Sequence, residues 1–227
     1  MDFTDNLFSL VNTGIKLNGA IILENNDDYA VIEDKKASIV YLLINKDNVA
    51  LLLLFNKYKD LENTVCIMSK HNYYLGRHSS FTTHLSVSQF RYVGEPLPLK
   101  EEYQIEEVTM DDFSYLCEHY KHIERNETYI EAAIKRGMLK CVKDNRIVGF
   151  IGEHPEHAMG LLYVDESYRR IGIARELEKA MINKMLKEGK TPIDHVVKEN
   201  SASLLLQSSF PNTVIDEGYI DWYFNRV

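Results

Sequence analysis

Two arginines, a glycine and an alanine stand close together in Arg169-Arg170-Ile171-Gly172-Ile173-Ala174. They follow the apolar run 159–164 and the short polar stretch Asp165-Glu166-Ser167-Tyr168. Beyond them the apolar residues recur at helical spacing, so an apolar strand turns here into an amphipathic helix. The first N–H groups of a helix have no intrahelical acceptor, and the helix dipole adds partial positive charge at the same end. Such an end holds phosphate oxygens. Gly172 lets a phosphate approach the backbone with no Cβ in the way. Ala174 keeps the next turn small, and Arg169 and Arg170 supply charge-assisted hydrogen bonds. Taken alone, R-x-x-G-x-A also describes a plain strand–turn–helix with solvated arginines.

The charge around this segment makes the arginine pair a local exception. The chain has 227 residues and net charge −8. Residues 1–100 carry 10 basic and 11 acidic side chains, and residues 101–227 carry 16 and 23. A nucleic-acid-binding protein shows a basic face or stripe, and none is present, so no nucleic-acid partner is expected. An acidic surface favours a cationic or amine-bearing substrate.

The elements that position the segment are legible on both sides of it. Gly94-Glu95-Pro96-Leu97-Pro98-Leu99-Lys100 reads as a linker. It divides an N-terminal α/β domain, 1–98, from a second domain, 99–227. Residues 103–108 read as a strand, and Thr109 with Asp112 as a capping box. Phe113, Leu116, Cys117, Tyr120 and Ile123 follow at helical spacing. Asn126 reads as the cap of a second helix, with Tyr129, Ile130, Ala133 and Ile134 on one face and Gly137 at its end. Strands are expected at 138–142, 146–153 and 158–164. A helix at 170–188 buries Ala174, Leu177, Met181 and Met185, with Gly189 behind it. Then come a strand at 192–197, a short helix capped by Asn200, and a closing hairpin of 214–216 with 220–224. This order predicts a layered α/β (α+β) domain with a mixed sheet, not a simple doubly wound one.

The N-terminal part carries no catalytic motif. A helix is expected over 2–17, with Phe3, Leu7, Leu10, Val11 and Ile15 inward, and strands at 37–44, 49–55 and 64–68. His71, Tyr73, Tyr74, His78 and His84 either line a site or belong to a partly exposed sheet face, and the second reading is preferred.

Arg169-Arg170-Ile171-Gly172-Ile173-Ala174 resembles the acyl-CoA-binding signature of the GNAT superfamily of N-acetyltransferases, R/Q-x-x-G-x-G/A. The preceding Val164-Asp165-Glu166-Ser167-Tyr168-Arg169 is similar to that family's V-x-P-x-Y-R run, with Glu166 where proline is common. Val196-Val197-Lys198-Glu199-Asn200-Ser201-Ala202-Ser203 resembles its V-x-x-x-N-x-x-S segment. The likeness covers about 103–224. A motif-poor N-terminal region ahead of such a domain resembles the glycine N-acyltransferase-like branch, whose first half is similar to a degenerate copy of the same fold.

The resemblance implies an enzyme that transfers an acyl group from acetyl-CoA, or another acyl-coenzyme A, to the amine of a small molecule or amino acid. Residues Arg169, Arg170, Ile171, Gly172, Ile173 and Ala174 would hold the pyrophosphate. The backbone of Leu162, Tyr163 and Val164 would pair with the pantetheine and polarise the thioester carbonyl. Asn200 and Ser203 would cap the following helix and orient the pantetheine arm. Glu153, at a strand end, is the candidate general base, with Glu156 as runner-up; a solvated hairpin turn is the other reading of both. Many relatives carry a tyrosine acid seven residues after the asparagine. Here that position is Gln207, which has no titratable proton, so Tyr163 is the candidate substitute. Ser208-Ser209-Phe210 also departs from the family's K-L-G-F. The alternative is a non-catalytic acyl-CoA-binding or sensor protein.

Other classes find little support. Cys66, Cys117 and Cys141 are scattered and form no CxxC, so neither disulfides nor zinc is expected, and a cytoplasmic location fits. His154, Glu156 and His157 match no standard ligand spacing, so no metal is expected. No basic segment leads into an apolar core at the start, so no signal peptide is expected. The apolar stretch 39–55 is interrupted by Asn45-Lys46-Asp47-Asn48 and reads as two strands and a turn, not a membrane span. A monomer or homodimer is expected.

Overall fold

The computed structural model describes residues 5–44, 54, 57–58, 64–69, 83–122 and 127–224. The chain divides into two compact units: Met1–Arg91 with Pro155–His157 and Ile193–Val227, and Tyr92–His154 with Ala158–Pro192. Residues 193–227, read from the sequence as the end of the second domain, thus cluster with the N-terminal residues.

The first unit opens with a 3-10 turn, Asn6–Phe8, which Asp5 caps by accepting from Leu7 N at 2.9 Å. Helix α1, Ser9–Thr13, and a π-helical turn, Gly14–Asn18, follow. Leu7, Leu10 and Val11 are buried, as helical spacing requires. Phe3 and residues 2–4 lie outside the described residues. Two strands that the sequence reading passed over come next, β1 Ile21–Asn25 and β2 Tyr29–Asp34. Asn26 closes their turn by accepting from Asp28 N and Tyr29 N. Strand β3, Ile39–Ile44, has all six residues buried and pairs in parallel with β4, Thr64–Ser69. A continuous apolar run is what a strand covered on both faces requires. Of the expected strand 49–55 only Leu54 is described. It lies in a helical conformation and packs with Val31, Val40 and Ile67.

The same unit holds β5 Thr83–Tyr92, β10 Ile193–Val197, β11 Thr213–Ile215 and β12 Tyr219–Phe224. It also holds the last helix, α5, Ser201–Ser208. Its strand order is β1-β2-β3-β4-β12-β5-β10. The expected hairpin of 214–216 with 220–224 does not form. Strand β12 lies between β4 and β5, and β11 pairs with β5 instead of with β12. Asn45–Asn48, His71, Tyr73, Tyr74 and His78 lie outside the described residues. His84 is in β5.

The second unit is a four-stranded antiparallel sheet in the order β9-β8-β7-β6. Its strands are β6 Gln104–Glu107, β7 Leu139–Lys143, β8 Arg146–Glu153 and β9 Met159–Val164. Helices α2, Phe113–His119, and α3, Glu127–Arg136, pack on one face with Phe150, Leu161 and Tyr163. Helix α4, Ile173–Lys187, packs on the other, where Leu177, Met181 and Met185 meet Cys141, Val148, Ile151 and Leu162. The capping box is present, with Asp112 Oδ2 accepting from Thr109 N at 2.8 Å. Asn126, read as the cap of α3, lies outside the described residues. The fold is a mixed α/β one with helices flanking a mixed sheet. No helix among the described residues is long and apolar enough to cross a membrane.

Candidate functional site

Strand β9 is not regular. Leu161 has φ +50°, and the pairing with β8 slips between Phe150 and Gly152. Such a bulge bends the strand and frees backbone groups from the ladder. Strand β8 comes close at this point: a Cβ on Gly149 would stand 2.8 Å from the carbonyl oxygen of Tyr163. Beyond Val164, Asp165 turns the chain by accepting from Ser167 N at 2.9 Å. Arg169 folds back, its Nε donating to Val164 O at 3.0 Å and its Nη1 reaching Glu166 at 3.3 Å. This arginine therefore shapes the turn. Arg170 is exposed, and no hydrogen bond or ion pair ties its side chain to the described residues.

The helix starts later than its sequence pattern suggests, at Ile173. Arg170 (φ +66°) and Gly172 (φ +99°) both take the left-handed conformation, and Gly172 is the N-cap. At Gly172 an added Cβ would also meet Tyr103 Oη at 3.0 Å, because that hydroxyl donates to Ile171 O. The first helical bond runs from Glu176 N to Gly172 O, 3.1 Å, so the N–H groups before it have no helical acceptor. Glu176, an acid that would repel an anion here, is buried and turned aside. Lys179 Nζ donates to it at 2.7 Å and Lys100 N at 3.0 Å. Left-handed glycine, open N–H groups, an unengaged arginine and a neutralised first-turn acid together fit a pyrophosphate.

Residues 102–206 match the model of the acetyltransferase (GNAT) family. The match spans just under half of the chain, and this segment is similar to that family's acetyltransferase domain. No curated protein matches the chain. Among solved structures, a functionally unknown conserved protein from Staphylococcus epidermidis is similar over 95% of this chain and 98% of its own, at 11% identity and TM-score 0.62. A GNAT-family protein from Novosphingobium aromaticivorans is similar over 96% and 95%, at 13% identity and TM-score 0.61. A GCN5-related N-acetyltransferase-like protein from Streptococcus suis is similar over 98% and 95%, at 11% identity and TM-score 0.58. At these identities the likeness is one of fold.

Within the matched segment the candidate catalytic groups are differently placed. Glu153 is wholly buried, and both its oxygens accept from Lys190 Nζ at 2.9 Å. Burial lowers the pKa of that ammonium, but its bonds to Glu153 and Glu188 outweigh burial and raise it. To accept a proton from an amine, this carboxylate would have to give up its ion pair, so the geometry suits it to a structural role. Glu156 is half-buried and belongs to the first unit. Tyr163 stacks on Phe150 with ring centroids 5.1 Å apart, and burial followed by the Asp165 charge raises its pKa.

His119 at the end of α2 escaped the sequence reading, since a lone histidine in a helix carries no motif. Its Nδ1 stands 2.8 Å from Tyr115 O. A carbonyl only accepts, so Nδ1 carries a proton, and in the neutral ring the lone pair is at Nε2. The ring stacks on Tyr115 at 4.0 Å and meets Tyr163 edge-on at 5.3 Å. His154 is held against the Tyr129 hydroxyl through Nδ1. Burial, then the Arg136 charge, pushes its pKa down to about 4.

Asn200 and Ser203 lie in the first unit. Asn200 caps α5, its side chain accepting from Ser203 N at 3.1 Å. Gln207 is buried, and its Nε2 donates to Asp194 Oδ2 at 2.6 Å. Burial pushes the Asp194 carboxyl up to about 7, against bonds from His195 N and Gln207. Between the ordinary value of 3.8 and about 7 the folded chain holds a proton that the unfolded chain releases. Stability from this group therefore falls as pH rises through that window. Asp194→Asn is expected to raise the melting temperature at pH 8 by roughly 4 °C or more, at about 2–4 °C per kcal/mol. The gain should vanish near pH 4, and calorimetric melting at both pH values checks it.

Proposed function

We propose that the chain transfers an acyl group, preferably acetyl, from acyl-coenzyme A to the primary amine of a small molecule or amino acid. The observation that carries this reading is the left-handed Gly172 opening α4 beside the unengaged Arg170. In the proposed reaction the amine nitrogen attacks the thioester carbonyl. A C–N bond forms, the C–S bond breaks, coenzyme A leaves as thiolate, and the amine proton passes to a base. The bulged backbone of Leu162–Val164 suits alignment of the pantetheine and stabilisation of the oxyanion. With Glu153 held by Lys190, His119 is the better proton acceptor, since its basic Nε2 is set by the bond at Nδ1.

A second reading, an acyl-CoA sensor without turnover, is favoured by one observation. Gln207, at the position where many relatives carry an acid, is buried in a bond to Asp194 and offers no titratable proton. Thiol release from acetyl-CoA, followed colorimetrically with a panel of amines and amino acids, separates the two. Turnover with an amine that falls at least 10-fold in His119→Gln, within the usual range for acid–base groups, supports transfer. Binding of acetyl-CoA with no thiol release for any amine supports the sensor.

A further inference from the structure

At one end of the second unit the rings of Tyr115, His119 and Tyr163 stand beside the bulged end of β9. Tyr115 Oη donates to Ile147 O at 2.8 Å, which seats the last turn of α2 at the start of β8. Strand β8 runs antiparallel to β9 there, with Gly149 opposite Val164 and Phe150 opposite Tyr163. The last turn of α2 thus lies at the end of the sheet from which the chain leaves β9 for α4. Glu153 lies at the other end, opposite Met159. Tyr115, His119 and Tyr163 are all half-buried, so each keeps part of its surface in solvent. Burial, then Tyr163, Asp165 and Glu118, pushes the Tyr115 phenol up to about 12. It stays protonated at neutral pH, and its bond to Ile147 O holds the ring in place.

The charges that bear on these rings are mostly negative. Asp165 and Glu118 face Tyr115, and Asp165 and Glu166 face Tyr163. Asp165 also faces His119: bonds from Ser167 lead in lowering its pKa, and the histidine's charge adds to them. Glu118 is exposed on α2, three residues after Tyr115 and so on the same side of the helix. The cation that bears on Tyr163 is Arg169, already engaged with Val164 O and Glu166. Aromatic faces and carboxylates together hold an ammonium group, and they disfavour a substrate carboxylate. We infer that the acceptor is a primary amine carried on an aromatic body with no carboxylate of its own, an arylalkylamine and not an amino acid. Tyr115, His119 and Tyr163 pack against its ring, and Asp165 and Glu118 select its charge. This rests on the proposed transfer reaction with His119 as proton acceptor, and it adds the class of the amine. The ammonium loses one proton to water. Its nitrogen then forms the C–N bond as the C–S bond breaks, coenzyme A leaves as thiolate, and the second proton passes to His119 Nε2.

Initial rates of thiol release from acetyl-CoA test this on the full chain with matched acceptors. The kcat/KM for 2-phenylethylamine is expected to exceed that for phenylalanine by at least about tenfold, from like-charge repulsion at a partly exposed site. Phenylalaninamide, which keeps the bulk and removes the charge, should behave as the amine does. Butylamine, which lacks the ring, should fall below 2-phenylethylamine by roughly tenfold. In Glu118→Lys, an exposed substitution, the preference for 2-phenylethylamine over phenylalanine should shrink by at least about threefold, with affinity for coenzyme A as in wild type. Equal or better turnover of phenylalanine overturns the proposal, as does turnover confined to amines without a ring. A Glu118→Lys variant that keeps the full preference overturns it too. Binding of acetyl-CoA with no thiol release for any of these amines sinks the proposal and leaves the cofactor site standing. No binding of acetyl-CoA defeats the transfer reading itself, and this proposal with it.

Discussion

Lys190→Met should destabilise the chain by about 3–5 kcal/mol, read as a lower urea midpoint at unchanged slope. The Glu153 carboxylate is 0% exposed and takes both its strong bonds from Lys190 Nζ, at 2.9 Å each. Lys190 itself is only 13% exposed and also reaches Glu188 at 2.9 Å. Removing the ammonium takes away both of these bonds from a buried carboxylate, and desolvation of that group sets the size of the loss. In Glu153→Gln the lysine keeps Glu188, so a smaller loss is expected. The double variant Glu153→Gln/Lys190→Met should be more stable than Lys190→Met, because the buried carboxylate's charge is removed together with the ammonium that faced it. A Glu153→Gln protein of near-normal stability that fails to turn over substrate would restore this residue to the role of base.

Gly172→Asp should lower affinity for coenzyme A by about 100-fold or more. Three costs coincide. A φ of +99° is strained for any residue with a Cβ, by about 1–3 kcal/mol. The new Cβ would stand 3.0 Å from Tyr103 Oη, whose position is fixed by its bond to Ile171 O. The carboxylate would then lie at the open N–H groups of α4, where it repels phosphate and satisfies the helix end in its place. Gly172→Ala carries the first two costs without the charge. It should lose stability by about 1 kcal/mol and affinity by about tenfold. Calorimetric titration of both variants separates backbone strain from charge.

Where the sequence carries a local signal, the structure follows it closely. Strand β8 spans Arg146–Glu153, as its pattern predicts. Thr109 with Asp112, and Asn200 with Ser203, form the expected caps because capping is settled within three or four residues. The strand–turn–helix around Arg169–Ala174 was legible for the same reason, although the helix begins at Ile173 because Arg170 and Gly172 are left-handed. The turn residues Asn25-Asn26-Asp27-Asp28 between two apolar runs were a signal for the β1–β2 hairpin that went unread.

Pairings between distant residues left no such trace. Segments 214–216 and 220–224 look like partners because they are neighbours, yet both lie along β5, more than 120 residues earlier in the chain. Nothing around Glu153 announces Lys190, 37 residues away. A carboxylate at a strand end reads as a base until the ammonium that neutralises it is seen. His119 is the converse case. Its tautomer is fixed by a carbonyl four residues before it, which only the folded helix supplies.

The most direct test of the acyl-CoA reading is calorimetric titration of the full-length chain with acetyl-CoA, beside an Arg170→Glu/Gly172→Asp variant. The expected result is saturable binding at one site per chain in wild type and none in the variant, with both proteins folded by circular dichroism. Absence of binding in wild type would contradict the account. So would binding that survives in the variant, because the pyrophosphate would then lie somewhere other than the start of α4.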